Sequence, residues 1–227
     1  MMKYLLFQLY GPLEAWGLQS PGLTRRTDNH PSKSAILGLV ANSLGITSEE
    51  EDELMKLKDS IGFACREDAH GTLLKDYHTI QILKEGKKPD TIVSNRYYLC
   101  DACFTICLWE KSGSTFPLEK IAEALKRSVF LPFLGRKSCV LGLPPNPKIM
   151  DAKNLREAFD SYKPDPILSP ILSKDSFPVY WEGEDESIHA TNQITRYDSL
   201  ASRRNWRFRQ RIENVGVLEK EDKCTSV

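Results

Sequence analysis

The amino-acid sequence predicts an α+β fold, because strand-like runs and helix-like segments follow one another along the chain. Residues 3–10 are an apolar run closed by a Gly-Pro pair, which is typical of a buried strand entering a turn. Apolar residues between positions 36 and 44 follow helical spacing. Residues 98–110 have the strongest strand pattern, and a helix pattern follows from Pro117.

The first two helices carry boundary signals of their own. Ser32 or Ser34 is the expected N-cap of the first helix, and Gly45 is its expected stop. Thr47 is expected to cap a second helix. The acidic run 49–53 suits the positive end of that helix dipole, so we interpret it as solvated helix surface.

Further strands are predicted after these helices. Residues 61–68 and 72–83 have strand character, and the polar, basic residues 85–90 are expected at the tip of an extended hairpin. The order so far is strand, helix, strands, strand, helix. That order fits a ferredoxin-like α+β unit.

The chain changes character after about residue 145. The proline-rich segment 142–148 is expected to be a stiff linker, and a short helix is expected near 151–162. We therefore predict a larger domain at 1–145 and a smaller C-terminal module at 146–227.

Composition describes an ordinary globular protein and leaves nucleic acid open as a partner. Lysine plus arginine and aspartate plus glutamate each total 31 among 227 residues. No apolar run is long enough to span a bilayer, and the first residues do not have the pattern of a secretory signal. We expect a cytoplasmic protein that has no membrane partner and whose cysteines are reduced thiols.

Three closely spaced cysteines raise the question of zinc. If residues 98–110 are one strand, Cys103 and Cys107 share a face and Cys100 points to the other. No histidine lies at the short spacing that zinc sites use. Packed apolar thiols are the favoured interpretation, and we expect neither a metal nor a cofactor.

The tetrapeptide DYHT places His78 beside Tyr77, with Lys75 close by. A metal-independent ribonuclease needs a general acid and a general base, and these side chains could supply them. A structural or RNA-contacting role for His78 is the favoured alternative.

Two stretches have the composition of a phosphate site. Arg25, Arg26 and Lys33 lie upstream of a predicted helix start, whose free N–H groups favour an anion. In the second stretch, a glycine that permits close backbone approach is followed by two cations and a hydroxyl. Its residues are Gly135, Arg136, Lys137 and Ser138. Trp16 could stack on an unpaired base or pack its loop onto the sheet.

The C-terminal region concentrates positive charge and two aromatic rings. This pattern fits a surface for nucleic acid or another anionic partner, and equally a strand with one solvated face. The residues concerned are Arg196, Arg203, Arg204, Arg207, Arg209 and Arg211, with Trp206 and Phe208 between them.

Several stretches, taken together and in order, resemble the CasD-type RAMP subunits of type I-E CRISPR surveillance complexes, called Cascade. Each motif is modest, but the ordered set covers nearly the whole chain. The matching segments are GPLEAWG, TRRTDNHPSKSAILGLVANSLGI, DYHT, RYYLCDACFTICLW, LPFLGRKSC and LASRRNW.

The resemblance implies an RNA-recognition-type domain with a thumb hairpin at about 80–98. Such a subunit is not an enzyme: it holds the 5′ handle of the CRISPR RNA and caps the row of backbone subunits, next to the large subunit. The resemblance places Arg96 at the base of the thumb, against a displaced handle nucleotide. The expected RNA contacts are Trp16, Arg25, Arg26, Lys33, Ser34, Arg96, Tyr97, Gly135, Arg136, Lys137 and Ser138.

Two alternatives remain open at the level of sequence. In a related subtype the corresponding subunit is itself a nuclease, which keeps a repeat-processing endoribonuclease with His78, Tyr77 and Lys75 in consideration. The other alternative is a structural cap whose basic C-terminal face contacts protein rather than RNA.

Overall fold

The computed structural model describes residues 1–18, 22–83, 90–205 and 207–219, which form an α+β fold as predicted. The helices are α1 (Lys33–Leu44), α2 (Glu51–Ser60), α3 (Leu118–Lys126) and α4 (Leu155–Ser161), with a 3-10 turn at Pro166–Leu168. The strands are β1 (Met2–Tyr10), β2 (Trp16–Gly17), β3 (Thr24–Arg25), β4 (Thr27–Asp28), β5 (Ile61–Ala69), β6 (Thr72–Ile82), β7 (Asp90–Cys100), β8 (Cys103–Glu110), β9 (Lys148–Ala152), β10 (Ser176–Trp181), β11 (Ala190–Ser202) and β12 (Arg207–Glu219).

A seven-stranded sheet with the order β11-β12-β10-β5-β8-β1-β9 organises the described residues. Its neighbouring strands run antiparallel. Side chains alternate across β1, so that Leu5 and Phe7 pack with α1 and α3, whereas Tyr4 and Leu6 pack with α4. The sheet is therefore covered by helices on both faces.

The boundaries of α1 are confirmed. Ser32 is the N-cap, and its hydroxyl accepts a hydrogen bond from the backbone N–H of Ala35. Gly45 ends the helix with a left-handed φ of 81°. The expected cap of α2 is wrong, because Thr47 donates its N–H and hydroxyl to the Glu50 carboxylate instead of accepting at a helix start.

The predicted single strand 98–110 is divided. Asp101 has a φ of 55°, which turns the chain between the end of β7 and the start of β8. Cys103 and Cys107 are buried free thiols in β8, as expected, and burial raises the pKa of both. Cys100 belongs to a different sheet, so the comparison of faces along one strand does not apply to it.

The predicted pair of strands before β8 forms an extended hairpin. β6 and β7 are antiparallel from Thr72 opposite Cys100 to Ile82 opposite Asp90, a longer ladder than 80–98. Of the expected tip, residues 85–90, positions 85–89 lie outside the described residues. β3 pairs with the other edge of β7 to complete a three-stranded sheet.

Strands from both sides of residue 145 share the large sheet. β10 pairs with β5, and β12 pairs with β10. The predicted boundary therefore does not separate two sheets.

Candidate nucleic-acid interface

Three segments that are distant in sequence lie next to one another: β3, β7 and the turn 133–140. β3 pairs in parallel with β7, which places Thr24 opposite Asn95 and Arg25 opposite Arg96. The turn 133–140 contacts both strands through Arg136. We call the cations gathered here the cationic cluster: Arg25, Arg26, Arg96, Arg136 and Lys137.

Arg136 connects these segments. Its guanidinium donates to the backbone carbonyl of Tyr97 at 3.1 Å and to that of Arg25 at 2.9 Å. It also lies over the ring of Tyr98, 4.7 Å from the centroid. Because the planar guanidinium holds several donors in fixed directions, one side chain fixes the turn against two strands.

Gly135 is required by a close approach as well as by its conformation. Its φ is 82°, and a Cβ atom there would lie 1.9 Å from the carbonyl oxygen of Ala15. The turn closes with a 2.7 Å hydrogen bond from the N–H of Leu134 to the carbonyl of Cys139. Lys137 and Ser138 are exposed at its tip, where they can reach a ligand.

Arg25 and Arg26 are exposed at the end of β3, beside unused hydrogen-bonding groups on β7. Three polar atoms on successive β7 residues are buried without a hydrogen-bond partner among the described residues: Ser94 Oγ, Asn95 Oδ1 and Arg96 Nε. Such atoms are rare in folded proteins and are concentrated where a ligand or water supplies the partner. Side chains alternate along β7, so Ser94 Oγ and Arg96 Nε share the face of Arg25, which lies opposite Arg96, whereas Asn95 Oδ1 lies on the other face.

Trp16 does not belong to this surface. Its side chain is 1% exposed, donates its indole N–H to Glu14 at 3.0 Å, and packs edge-on against Phe104. Burial raises the pKa of Glu14 well above its usual value. The stacking expectation is wrong, and the alternative of packing the loop onto the sheet is correct.

Lys33 is also unavailable to RNA. It is 4% exposed, and its ammonium lies 2.6 Å from the carboxylate of Glu182. Burial, opposed by that carboxylate, lowers the pKa of Lys33 to about 8. Its backbone N–H donates to Asp198 at 2.9 Å, so a carboxylate of the chain itself occupies the helix start where a phosphate was expected.

The remaining expected contacts have intermediate positions. Ser34 is partly exposed, with its Oγ 3.2 Å from that of Ser32. Tyr97 is partly exposed, and the contact recorded above for it is made by its carbonyl rather than by its ring.

The expected nuclease residues do not form one constellation. His78 lies on β6 with its Nδ1 3.6 Å from an Asp76 oxygen. Residues 75 and 77 alternate with residue 78 along the regular β6–β7 ladder, so Lys75 and Tyr77 lie on the opposite face of the hairpin. No acid–base pair therefore forms among these three side chains.

Sequence reasoning missed an ionic network that joins residues 28–33 to β11 and β12. We define the ionic network as Asp28, His30, Arg196, Asp198, Arg211 and Glu213. Burial alone would raise the pKa of Glu213, but the hydrogen bond with His30 and the charges of Arg211 and Arg196 lower it to about 2. His30 also stacks on Tyr180, with ring centroids 3.6 Å apart.

The network divides the arginines of the C-terminal region into two groups. Arg196 and Arg211 are largely buried in ion pairs. Arg204, Arg207 and Arg209 are exposed. Trp206, the aromatic residue expected between them, lies outside the described residues.

The described ranges lack a metal-binding group of side chains and a helix able to cross a membrane. Within them, no three His, Cys, Asp or Glu side chains are placed to hold a metal ion. No helix described there is both long and apolar enough to cross a bilayer.

Comparison with known proteins identifies the family. A family model described as "CRISPR-associated protein (Cas_Cas5)" matches residues 4–214. The chain belongs to the Cas5 family. The resemblance predicted from the sequence is thereby confirmed.

The chain is also similar to a named protein and to two solved structures. The Cas5 chain is 35% identical over 188 residues to "CRISPR system Cascade subunit CasD" of Escherichia coli (strain K12), covering 78% of this chain and 83% of that protein. A chain of a "CRISPR RNA-guided surveillance complex" shares the fold, with a TM-score of 0.69 at 24% identity over 96% of this chain and 90% of that chain. A structure titled "Crystal structure of Cas protein" matches with a TM-score of 0.63 at 27% identity over 96% of both chains.

Proposed function

We propose that this Cas5 protein is a non-catalytic subunit of a type I-E antiviral surveillance complex that holds the 5′ handle of the CRISPR RNA. The observation that carries the proposal is the convergence of β3, β7 and the turn 133–140 on one cationic surface. Cations set on a fixed backbone suit the phosphates of a single strand, which contribute much of RNA affinity. Membership of the Cas5 family and the similarity to a Cascade subunit support the same role.

The β6–β7 hairpin is the proposed thumb. Arg96 lies in its second strand directly opposite Arg25 of β3, in the position that the resemblance gives to a contact with a displaced handle nucleotide. The partner atoms that Ser94 and Arg96 lack, which lie on one face of β7, would come from that nucleotide.

The rest of the chain supplies the framework and the contacts of assembly. We propose that β1, β5, β8 and β9 with their helices form a ferredoxin-like unit, which the strand order β5-β8-β1-β9 supports. In this proposal residues 1–145 are the RAMP domain, and the module 146–227 completes its sheet with β9 and extends it with β10–β12. The subunit would cap the row of backbone subunits, contact the large subunit and act in the cytoplasm.

No described geometry favours the nuclease alternative. His78 is separated from Lys75 and Tyr77 by the plane of the hairpin. Incubation of the pure chain with repeat RNA in EDTA should leave the RNA intact. Discrete products that disappear in His78→Ala would establish cleavage and contradict the non-catalytic role.

Co-expression with the other complex subunits and a CRISPR array tests the proposal. The Arg25→Ala/Arg26→Ala variant should assemble poorly or leave the 5′ handle unprotected against nuclease, because two exposed cations are lost from the cluster. Arg207→Ala/Arg209→Ala is the matched control, since it removes the same charge from exposed positions on β12. Full handle protection in the first variant would refute the proposed site.

A further inference from the structure

We infer that the ionic network positions the cationic cluster, which makes Asp28 and Arg196 positioning residues for RNA binding without contacting RNA themselves. The inference rests on the proposed function and adds residues to it that lie outside the expected contacts. On this inference, the C-terminal strands influence a surface built from residues 25, 26, 96, 136 and 137.

Arg196 links Asp28, close to the cationic cluster, directly to the C-terminal strands. Its Nη1 lies 2.6 Å from Oδ2 of Asp28, and its Nε lies 3.2 Å from Oε2 of Glu213. The side chains of Arg196 and Asp28 are 14% and 13% exposed, and that of Glu213 is fully buried. Because the guanidinium lies at ion-pair distance from both carboxylates and away from solvent, its charge ties β4 to β12.

The same surface of β11 and β12 holds residues 30 and 33. His30 Nε2 lies 3.0 Å from Glu213, and the N–H of Lys33 donates to Asp198 at 2.9 Å. Arg211 connects the two carboxylates, with its Nε 2.6 Å from Asp198 and its Nη2 paired with Glu213. Residues 28 to 33 are thus attached to the C-terminal strands at three points.

This attachment limits where Arg25 and Arg26 can lie. On one side β3 is fixed by its pairing with β7, and on the other Asp28 is only two residues beyond Arg26. Two residues span about 7 Å at most, so a shift of Asp28 is transmitted to Arg26. β4 is itself held at Thr27, whose hydroxyl accepts from the N–H of Trp16 at 2.8 Å.

Charge and position predict opposite effects for one substitution. If Asp28 acts only through its charge, Asp28→Asn removes a carboxylate close to an anion-binding surface and should strengthen RNA binding. If Asp28 acts by positioning, the weakened link to Arg196 should reduce RNA binding. The sign of the change therefore separates the two roles.

The experiment measures binding of a fluorescent single-stranded RNA with the repeat-derived 5′ handle to the full chain by anisotropy, beside melting temperature. Asp28→Asn should bind about tenfold more weakly, a difference of ~1.4 kcal/mol. Asp76→Asn is the control, because Asp76 faces Arg96 across the hairpin but lies outside the ionic network. It should bind as tightly as the wild type or more tightly.

Arg196→Lys gives an independent check. It keeps the positive charge, but a single ammonium cannot lie close to both Asp28 and Glu213 as the broader guanidinium does, so it should show the same loss. In combination with Arg25→Ala/Arg26→Ala, either network variant should add little further loss, because both act through the same cations.

Unchanged or tighter binding by Asp28→Asn would overturn the inference. If Asp28→Asn also lowers the melting temperature, its combination with Arg25→Ala/Arg26→Ala decides. Fully additive losses of RNA affinity would overturn the positioning role, and non-additive losses would support it. A different result would show that the proposed function itself is wrong: Arg25→Ala/Arg26→Ala would then bind the handle RNA as tightly as the wild type.

Discussion

The cationic cluster and the ionic network use the same residue type for opposite purposes. Arg25 and Arg26 are exposed at a strand end, whereas Arg196 and Arg211 are packed against Asp28, Asp198 and Glu213. In the network, each arginine faces carboxylates that neutralise its charge. The comparison teaches that the density of arginine along a chain does not locate an anion site; the carboxylates that folding brings near each arginine decide it.

Removal of the shared carboxylate should give the largest effect. Glu213→Ala leaves Arg196, Arg211 and His30 without their common partner in a buried place, so we expect a loss of about 3–5 kcal/mol in the free energy of unfolding. Urea denaturation measures it. The control Glu119→Ala breaks an exposed pair with Lys3 and should change little. Equal effects of the two variants would mean that the network is not a distinct structural unit.

Acid should weaken the network next. The pKa of Glu213 is about 2 in the folded chain against 4.5 ordinarily, so its contribution is fully present above about pH 4.5 and is lost as the pH falls toward 2. The contribution of this one group amounts to about 3 kcal/mol. Unfolding curves between these pH values should be less pH-dependent in Glu213→Gln than in the wild type, and identical slopes would contradict the assignment.

The cationic cluster depends on the backbone conformation of Gly135. Gly135→Ala would place Cβ 1.9 Å from the Ala15 carbonyl at a φ of 82°, so we expect a loss of at least about 2 kcal/mol in unfolding free energy and weaker handle binding. Gly113→Ala is the matched control, because Gly113 has a φ of 77° with nothing within 4 Å of the added carbon. Similar losses in both would show that the close approach to Ala15 has no separate cost.

The smallest expected effect on stability comes from the exposed arginines, whose effect on RNA binding is large by comparison. Arg25→Ala/Arg26→Ala should change unfolding free energy by no more than about 0.5 kcal/mol. The slope of log affinity against log salt should become shallower by about 1.4, from about 0.7 for each of two lost phosphate contacts. If the slope is unchanged in Arg25→Ala/Arg26→Ala but becomes shallower in Arg207→Ala/Arg209→Ala, the RNA phosphates contact β12 instead of the cationic cluster.

Local signals in the sequence predicted the boundaries of α1 but not the cap of α2. The caps of α1 depend on Ser32, Gly45 and their immediate neighbours, so they were visible in the sequence. The division at Asp101 was missed, since apolar residues continue on both sides of one residue in the left-handed region.

The candidate site was predicted in part, and distant partners explain the rest. Arg25, Arg26 and Arg136 converge as the motifs indicated. Lys33 had the same composition around it, but Glu182, 149 positions away, pairs with it. Trp16 and the ionic network likewise depend on packing that no short motif encodes, since His30 meets Glu213 across 183 positions.

Mapping the protein side of the RNA contact tests the central claim most directly. The assembled complex would carry CRISPR RNA with 4-thiouridine in the 5′ handle, and crosslinked peptides would be identified by mass spectrometry after irradiation. The account predicts crosslinks within residues 24–26, 94–97 and 135–138. Crosslinks confined to residues 203–210 would contradict it, because the RNA would then lie between β11 and β12 and not on the cationic cluster.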